Sequence, residues 1–133
     1  MEKLEHIGIA VKNIAETNKV FSHLLGREHY KIEEVTSEGV RTSFFNVGGV
    51  KIELLEATHE ASPIAKFIDK RGEGIHHLAF EVTDIYESLR KYKEQGFEVI
   101  NAEPKEGADN KLIFFLHPRS TNGVLIELCQ EIK

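Results

Sequence analysis

Cysteine is almost missing. Cys129 is the single one in 133 residues, so no internal disulfide framework exists and the chain fits a reducing compartment. Long apolar runs are missing too: no stretch approaches the roughly 20 residues that span a bilayer. The opening MEKLEHIG has none of the apolar core of a signal peptide. Nor is there an excess of positive charge. Seventeen Lys and Arg stand against 22 Asp and Glu, a net charge of −5 that offers no general field for nucleic acid or an anionic membrane. No low-complexity tract and no second domain interrupt the chain. The remainder, 41% hydrophobic and 29% charged, is ordinary for one soluble domain able to bury a core. These features predict a cytoplasmic protein whose partners are neither nucleic acid nor membrane.

The chain does contain a repeat of itself. EHIGIAVKNIAETNKVF (Glu5 to Phe21) aligns without a gap on HHLAFEVTDIYESLRKY (His76 to Tyr92), placing His6 over His77 at an offset of 71. VKIELLE (Val50 to Glu56) aligns on VLIELCQ (Val124 to Gln130), placing Glu53 over Glu127 at an offset of 74. Aligning Phe44-Phe45 on Phe114-Phe115, at an offset of 70, attributes this drift to four extra residues in LHPRSTNG relative to NVGG.

Local patterns give the same elements twice. His6 to Val11 alternates as a strand, with Ile7, Ile9 and Val11 on one face and His6, Gly8 and Ala10 on the other. Asn13 with Glu16 resembles a capping pair for a helix through Leu25 that ends at Gly26, with Val20, Leu24 and Phe21 as its buried stripe. Strands are predicted at Tyr30 to Val35, Val40 to Val47 and Val50 to Glu56, the last two joined at Gly48-Gly49. The second copy predicts a strand at His77 to Val82 and a helix capped by Asp84 that runs to about Gln95. Further strands are expected at Phe97 to Ile100, Leu112 to Leu116 and Val124 to Cys129. Between the copies, Ser62-Pro63 opens a short helix with Pro63 at its first position. The expected fold is α+β: tandem βαβββ modules, about 1–56 and 75–133 with a linker at 57–74, pairing into one curved mixed sheet around a metal-binding cleft.

The metal follows from where the repeat puts its donors. His6 shares a strand face with Gly8 and Ala10, and His77 with Ala79, away from the bulky apolar positions. Glu53 and Glu127 are likewise out of phase with the valine, isoleucine and leucine around them. His76 rivals His77 but falls on the opposite face. His23, His29, His59 and His117 have no repeat partner. Two imidazoles and two carboxylates without thiolate suit Co²⁺, Mn²⁺, Ni²⁺, Zn²⁺ or Fe²⁺ in an open, catalytic type of site. Cys129 shares the parity of Glu127 and reads as a small packing residue.

EHIGIAV, SPIAKFI, GEGIHHLAFEV and FLHPRSTNGVLIEL together resemble the vicinal oxygen chelate superfamily and, within it, the methylmalonyl-CoA epimerases. The resemblance implies a metal held by His6, Glu53, His77 and Glu127, commonly cobalt or manganese with nickel or zinc as alternatives. It implies an acyl-CoA substrate, a homodimer, and proton transfer at C2 of methylmalonyl-CoA through an enolate. Such chemistry requires two acid–base groups on opposite faces of a planar intermediate. Glu127 is one. Several relatives carry a second glutamate at the position of Thr42, which cannot serve, so Glu53, a water or another residue must. Asn110 or Lys111 is a candidate for the malonyl carboxylate. The alternatives are a lactoylglutathione lyase (glyoxalase) on the same fold and a metal-free binding protein of the bleomycin-resistance kind.

Overall fold

The computed structural model describes residues 2–133, which form eight strands and three helices. Two compact units divide them: residues 6–76, and residues 77–133 together with residues 2–5. Strand β1 (Lys3–Ala10) begins in the second unit and continues into the first. The first unit continues with α1 (Ile14–Leu25), β2 (Lys31–Val35), β3 (Val40–Val47), β4 (Val50–Ala57) and α2 (Pro63–Arg71). The second holds most of β5 (Gly74–Glu81), then α3 (Ile85–Glu94), β6 (Lys105–Glu106), β7 (Lys111–Leu116) and β8 (Ile126–Glu131). No helix among the described residues is long and apolar enough to cross a membrane.

In the first unit β2 pairs antiparallel with β3, β3 antiparallel with β4, and β4 parallel with β1. In the second, β6, β7 and β8 pair antiparallel in turn, and β8 runs parallel to β5. The same hydrogen bonds start each helix. Asn13 Oδ1 accepts from Glu16 N–H at 3.0 Å, and Asp84 Oδ1 accepts from Glu87 N–H at 3.1 Å. The first helical N–H of α1 donates to Glu56 Oε2 at 3.1 Å, and that of α3 to Gln130 Oε1 at 2.8 Å. Val11 N–H bonds Leu55 C=O, and Val82 N–H bonds Cys129 C=O, both at 2.9 Å. The duplication therefore extends to individual caps. The Gly48-Gly49 turn closes β3 on β4 with φ of 60° and 90°, the left-handed pair that a two-residue hairpin requires.

Four expectations need correction. The buried side of α1 is not Val20 and Leu24, which are 61% and 70% exposed. It consists of Ile14 and Asn18, with Phe21 and Leu25 packing on Val11, Phe45 and Leu54. Polar Asn18 interrupts the apolar stripe in the sequence and hides its phase. Secondly, Phe97 to Ile100 is not a strand. Val99 makes an isolated bridge to Leu116, the Asn101 side chain rather than backbone accepts from Phe115 N–H at 3.0 Å, and the two-residue β6 takes the edge instead. Thirdly, pairing register puts Phe44 opposite Glu53 and Phe115 opposite Glu127. Phe44 therefore corresponds to Phe115 at an offset of 71, the same as the histidines, and the second hairpin is longer by three residues rather than four. Lastly, the strand expected at Val124 to Cys129 runs instead from Ile126 to Glu131. β1 and β5 also start earlier than predicted, at Lys3 and Gly74.

Helix α1 covers one face of the first unit's strands, and the face that bears His6 and Glu53 is not wholly open. Ile64, Phe67 and Ile68 of α2 pack there on Ala10 and Leu55. In the second unit α3 packs Ile85 and Leu89 on Phe114, Leu116 and Leu128.

Candidate metal centre

The ligands predicted within each unit come together in pairs. In the first unit Gly8 lies beside Glu53 in the parallel register of β1 and β4, one rung from His6. His6 Nδ1 sits 3.2 Å from Glu53 Oε2, with both side chains about 95% buried. In the second unit Ala79 lies beside Glu127, and His77 Nε2 sits 3.1 Å from Glu127 Oε1, again buried. Gly8 has no side chain and Ala79 only a methyl, so neither neighbour crowds the glutamate beside it. The His77 ring also stands edge-on to Phe115, with centroids 5.8 Å apart and planes at 89°. Phe115 was not assigned to the site from sequence, and the off-by-one repeat alignment concealed its match to Phe44.

A carboxylate taken out of water needs a compensating partner. Each buried glutamate has an imidazole nitrogen within hydrogen-bonding distance. Neutral imidazole and ionised carboxylate are the donor types that Mn, Fe, Co, Ni and Zn accept. The residues fit a divalent ion.

The remaining histidines have other partners. His76 packs edge-on to Phe67 at 4.9 Å, on the opposite side of β5 from His77. His117 Nδ1 accepts from Arg119 N–H at 3.0 Å and caps the 3₁₀ turn Pro118–Ser120. His29 packs against Phe45, and His59 lies over Gly39. Cys129 is fully buried, and its Sγ donates to Phe80 C=O at 3.6 Å. Burial, then the charge of Glu127, pushes its thiol well above the ordinary range, so it packs and does not react as a thiolate. Asn110 donates from Nδ2 to Ile132 C=O at 3.0 Å and belongs to a turn. Lys111 is buried, pairs with Asp109 at 3.6 Å, and shares the face of Glu127 by strand parity. Thr42 is 1% exposed and lies on the Glu53 face of β3.

Residues 5–115 match the family model of the Glyoxalase/Bleomycin resistance protein/Dioxygenase superfamily. The chain is 39% identical to the ethylmalonyl-CoA/methylmalonyl-CoA epimerase of Cereibacter sphaeroides, over 96% of this chain and 97% of that one. A hypothetical protein of Bacillus halodurans C-125 superposes with a TM-score of 0.95 at 47% identity, covering 98% and 95% of the two chains. A variant of Streptomyces coelicolor methylmalonyl-CoA epimerase, in complex with 2-nitronate-propionyl-CoA, superposes with a TM-score of 0.95 at 32% identity, covering 100% and 99%. The chain belongs to the glyoxalase/bleomycin resistance/dioxygenase superfamily and, within it, to the methylmalonyl-CoA epimerases.

Proposed function

We propose that this protein interconverts the (2R) and (2S) epimers of methylmalonyl-CoA by moving the proton on C2. The observation that carries the reading is the buried His–Glu pair, built twice from the two copies of the repeat. His6, Glu53, His77 and Glu127 are the residues that would hold one divalent ion, cobalt or manganese ahead of nickel or zinc. Such an ion, when bound, supplies Lewis acidity toward the carbonyl oxygen on which charge grows as C2 loses its proton.

The chain's own residues divide the remaining work. Glu127 carries the proton for one face of C2. Its carboxylate is 5% exposed, so bulk water competes little for the proton it holds. Glu53 is its counterpart as a ligand and the first residue to test for the opposite face. Lys111, a buried cation on the Glu127 face, suits the free carboxylate of the substrate. Asn110 Nδ2 already gives one of its two hydrogens to Ile132 C=O, which makes Lys111 the first candidate of the two. The nitronate bound by the Streptomyces coelicolor relative is a planar, anionic acyl-CoA, which supports the substrate class. The single buried thiol suits a cytoplasmic enzyme, and a homodimer accompanies the family reading.

Deuterium exchange at C2 of methylmalonyl-CoA, followed on metal-loaded protein, tests the activity. Exchange with interconversion is the expected outcome. Turnover of a glutathione hemithioacetal without it would make the protein a glyoxalase-type lyase. Failure to retain or respond to any divalent metal, by elemental analysis, would point to a sequestering protein. Light scattering should return twice the 15.1 kDa chain mass.

A further inference from the structure

A group that takes the proton from C2 brings the other three substituents of that carbon against its own neighbours. The thioester and the free carboxylate are polar and have charged partners in the reading above. The alkyl group needs apolar surface. Strands β5, β7 and β8 place four apolar side chains around Glu127 on its face: Ala79, Ile113, Phe115 and Cys129. Ala79, Ile113 and Cys129 are 0%, 6% and 0% exposed and have almost no surface left to offer. Phe115 is only half-buried, and it stands directly opposite Glu127.

The apolar surface continues past Phe115. Ile100 N–H donates to Phe115 C=O at 2.9 Å, and Val99 bridges Leu116, which sets Ile100 opposite Phe115. Val99 and Leu116 pack in the core beneath α3. Phe115 and Ile100, one residue away on each segment, therefore face the other way, with Glu127. Ile100 is 52% exposed. One row thus runs Ala79, Glu127, Phe115, Ile100, and two cross-strand spacings put Ile100 about 10 Å from Glu127. The first unit builds the same row as Gly8, Glu53, Phe44, Lys31. There the ring is wholly buried, with Lys31 Nζ 4.6 Å from its centroid. An ammonium stands where the second unit has an isoleucine, so the apolar row belongs to the second unit.

We infer that Phe115 and Ile100 seat the alkyl group on C2, and that this seat, open at Ile100, also admits malonyl-CoA substrates whose alkyl group is longer than methyl. This rests on the epimerase reading above. The alkyl carbon lies in the plane of the enolate, so it keeps this place whichever face gains the proton. The test follows C2 exchange of methyl-, ethyl- and propylmalonyl-CoA in deuterated buffer with the metal-loaded full chain. Their kcat/KM values should lie within about tenfold of one another, whereas a closed methyl pocket would cost that much or more for each added methylene. In Ile100→Asp the ratio of propyl to methyl kcat/KM should fall by about tenfold, the worth of two methylenes of apolar contact. Ile100→Leu, which keeps the apolar surface, should hold the wild-type ratio. Metal content and melting temperature should match wild type in both, since the side chain is exposed. Lys31→Gln, at the matching place in the first unit, should leave the ratio unmoved. Stronger discrimination against ethyl or propyl by the wild type would overturn the open seat. A ratio unchanged in Ile100→Asp, or shifted equally in Lys31→Gln, would overturn the placement of the alkyl group. If the wild type exchanges none of the three, the epimerase reading itself fails, and the two failures are thereby distinguished.

Discussion

At position 18, in α1, the chain has asparagine; at the matching position of α3, offset by 71, it has Leu89. Both are 9% exposed and both face the sheet. Opposite Asn18 stands Ser43, whose hydroxyl donates to Asn18 Oδ1 at 2.6 Å with both residues buried. The position matching Ser43 in the second unit is Phe114, which packs with Leu89 in the apolar core. One copy of the repeat therefore joins helix to sheet by a hydrogen bond between small groups, the other by dispersion between large ones. The caps, the parallel strand pairs and the His–Glu pairs are kept in both. Backbone geometry and the His–Glu placement survive duplication, while core chemistry is free to change provided each buried polar group has its partner. Even the His–Glu pairs are not copies in every detail: His6 approaches its glutamate through Nδ1, His77 through Nε2.

The largest expected break in the symmetry is catalytic. Glu127→Gln should lower C2 exchange by about 10²- to 10⁴-fold, since it removes a proton carrier as well as a ligand charge. Glu53→Gln should keep the metal and lose much less, because an amide oxygen remains to ligate. Metal content and exchange rates on the two variants check this. Equal losses would restore the symmetry and assign both glutamates a proton.

Stability should separate the copies next. Leu89→Ala deletes buried methyl groups beside Phe114 and should cost about 2–5 kcal/mol in chemical denaturation. Asn18→Ala strands the Ser43 hydroxyl and should cost about 1–3 kcal/mol. The double variant Asn18→Leu with Ser43→Ala, which imitates the apolar solution, should be closer to wild type than Asn18→Ala alone. A double variant worse than the sum of its parts would mean that the first unit has no room for the second unit's answer.

The same contrast explains what was legible in the sequence. Asn13, Asp84, Ser62-Pro63 and Gly48-Gly49 announce helix starts and a turn because their physics is local. The His–Glu pairs were legible because strand parity is a period of two and the repeat supplies each residue with a twin. Asn18 was not, since its partner Ser43 is 25 residues away and an isolated asparagine in a helix reads as solvent-facing. With Asn18 discounted, Val20 and Leu24 made an equally periodic stripe on the wrong side. Phe97 to Ile100 has the composition of a strand, but only two backbone bonds join it to β7, Ile100 N–H to Phe115 C=O at 2.9 Å and His117 N–H to Glu98 C=O at 2.8 Å, and side-chain bonds supply the rest.

Those bonds offer the smallest expected effect. In the first unit the second strand is held by a five-residue backbone ladder to β3. In the second, Glu98 N–H donates to Ser120 Oγ at 2.8 Å, and Arg119 binds the Glu98 carboxylate through Nε at 3.2 Å and Nη2 at 2.7 Å. Arg119 hydrogen bonding, reinforced by its charge and opposed by partial desolvation, holds the Glu98 carboxyl below its ordinary 4.5. A depressed carboxylate stabilises the fold at pH above its unfolded value, and that contribution disappears as pH falls through the folded one. The pair is exposed, so its worth is small and screened by salt. Arg119→Gln should therefore lower the melting temperature slightly at pH 7, less in high salt, and not at all once the pH is below the depressed Glu98 value. The corresponding substitution in the first unit, Lys31→Gln on the ladder-held strand, should leave the melting temperature unchanged at every pH. A shift for Lys31→Gln as large as that for Arg119→Gln would show that side-chain pairs, rather than the backbone ladder, hold both edges.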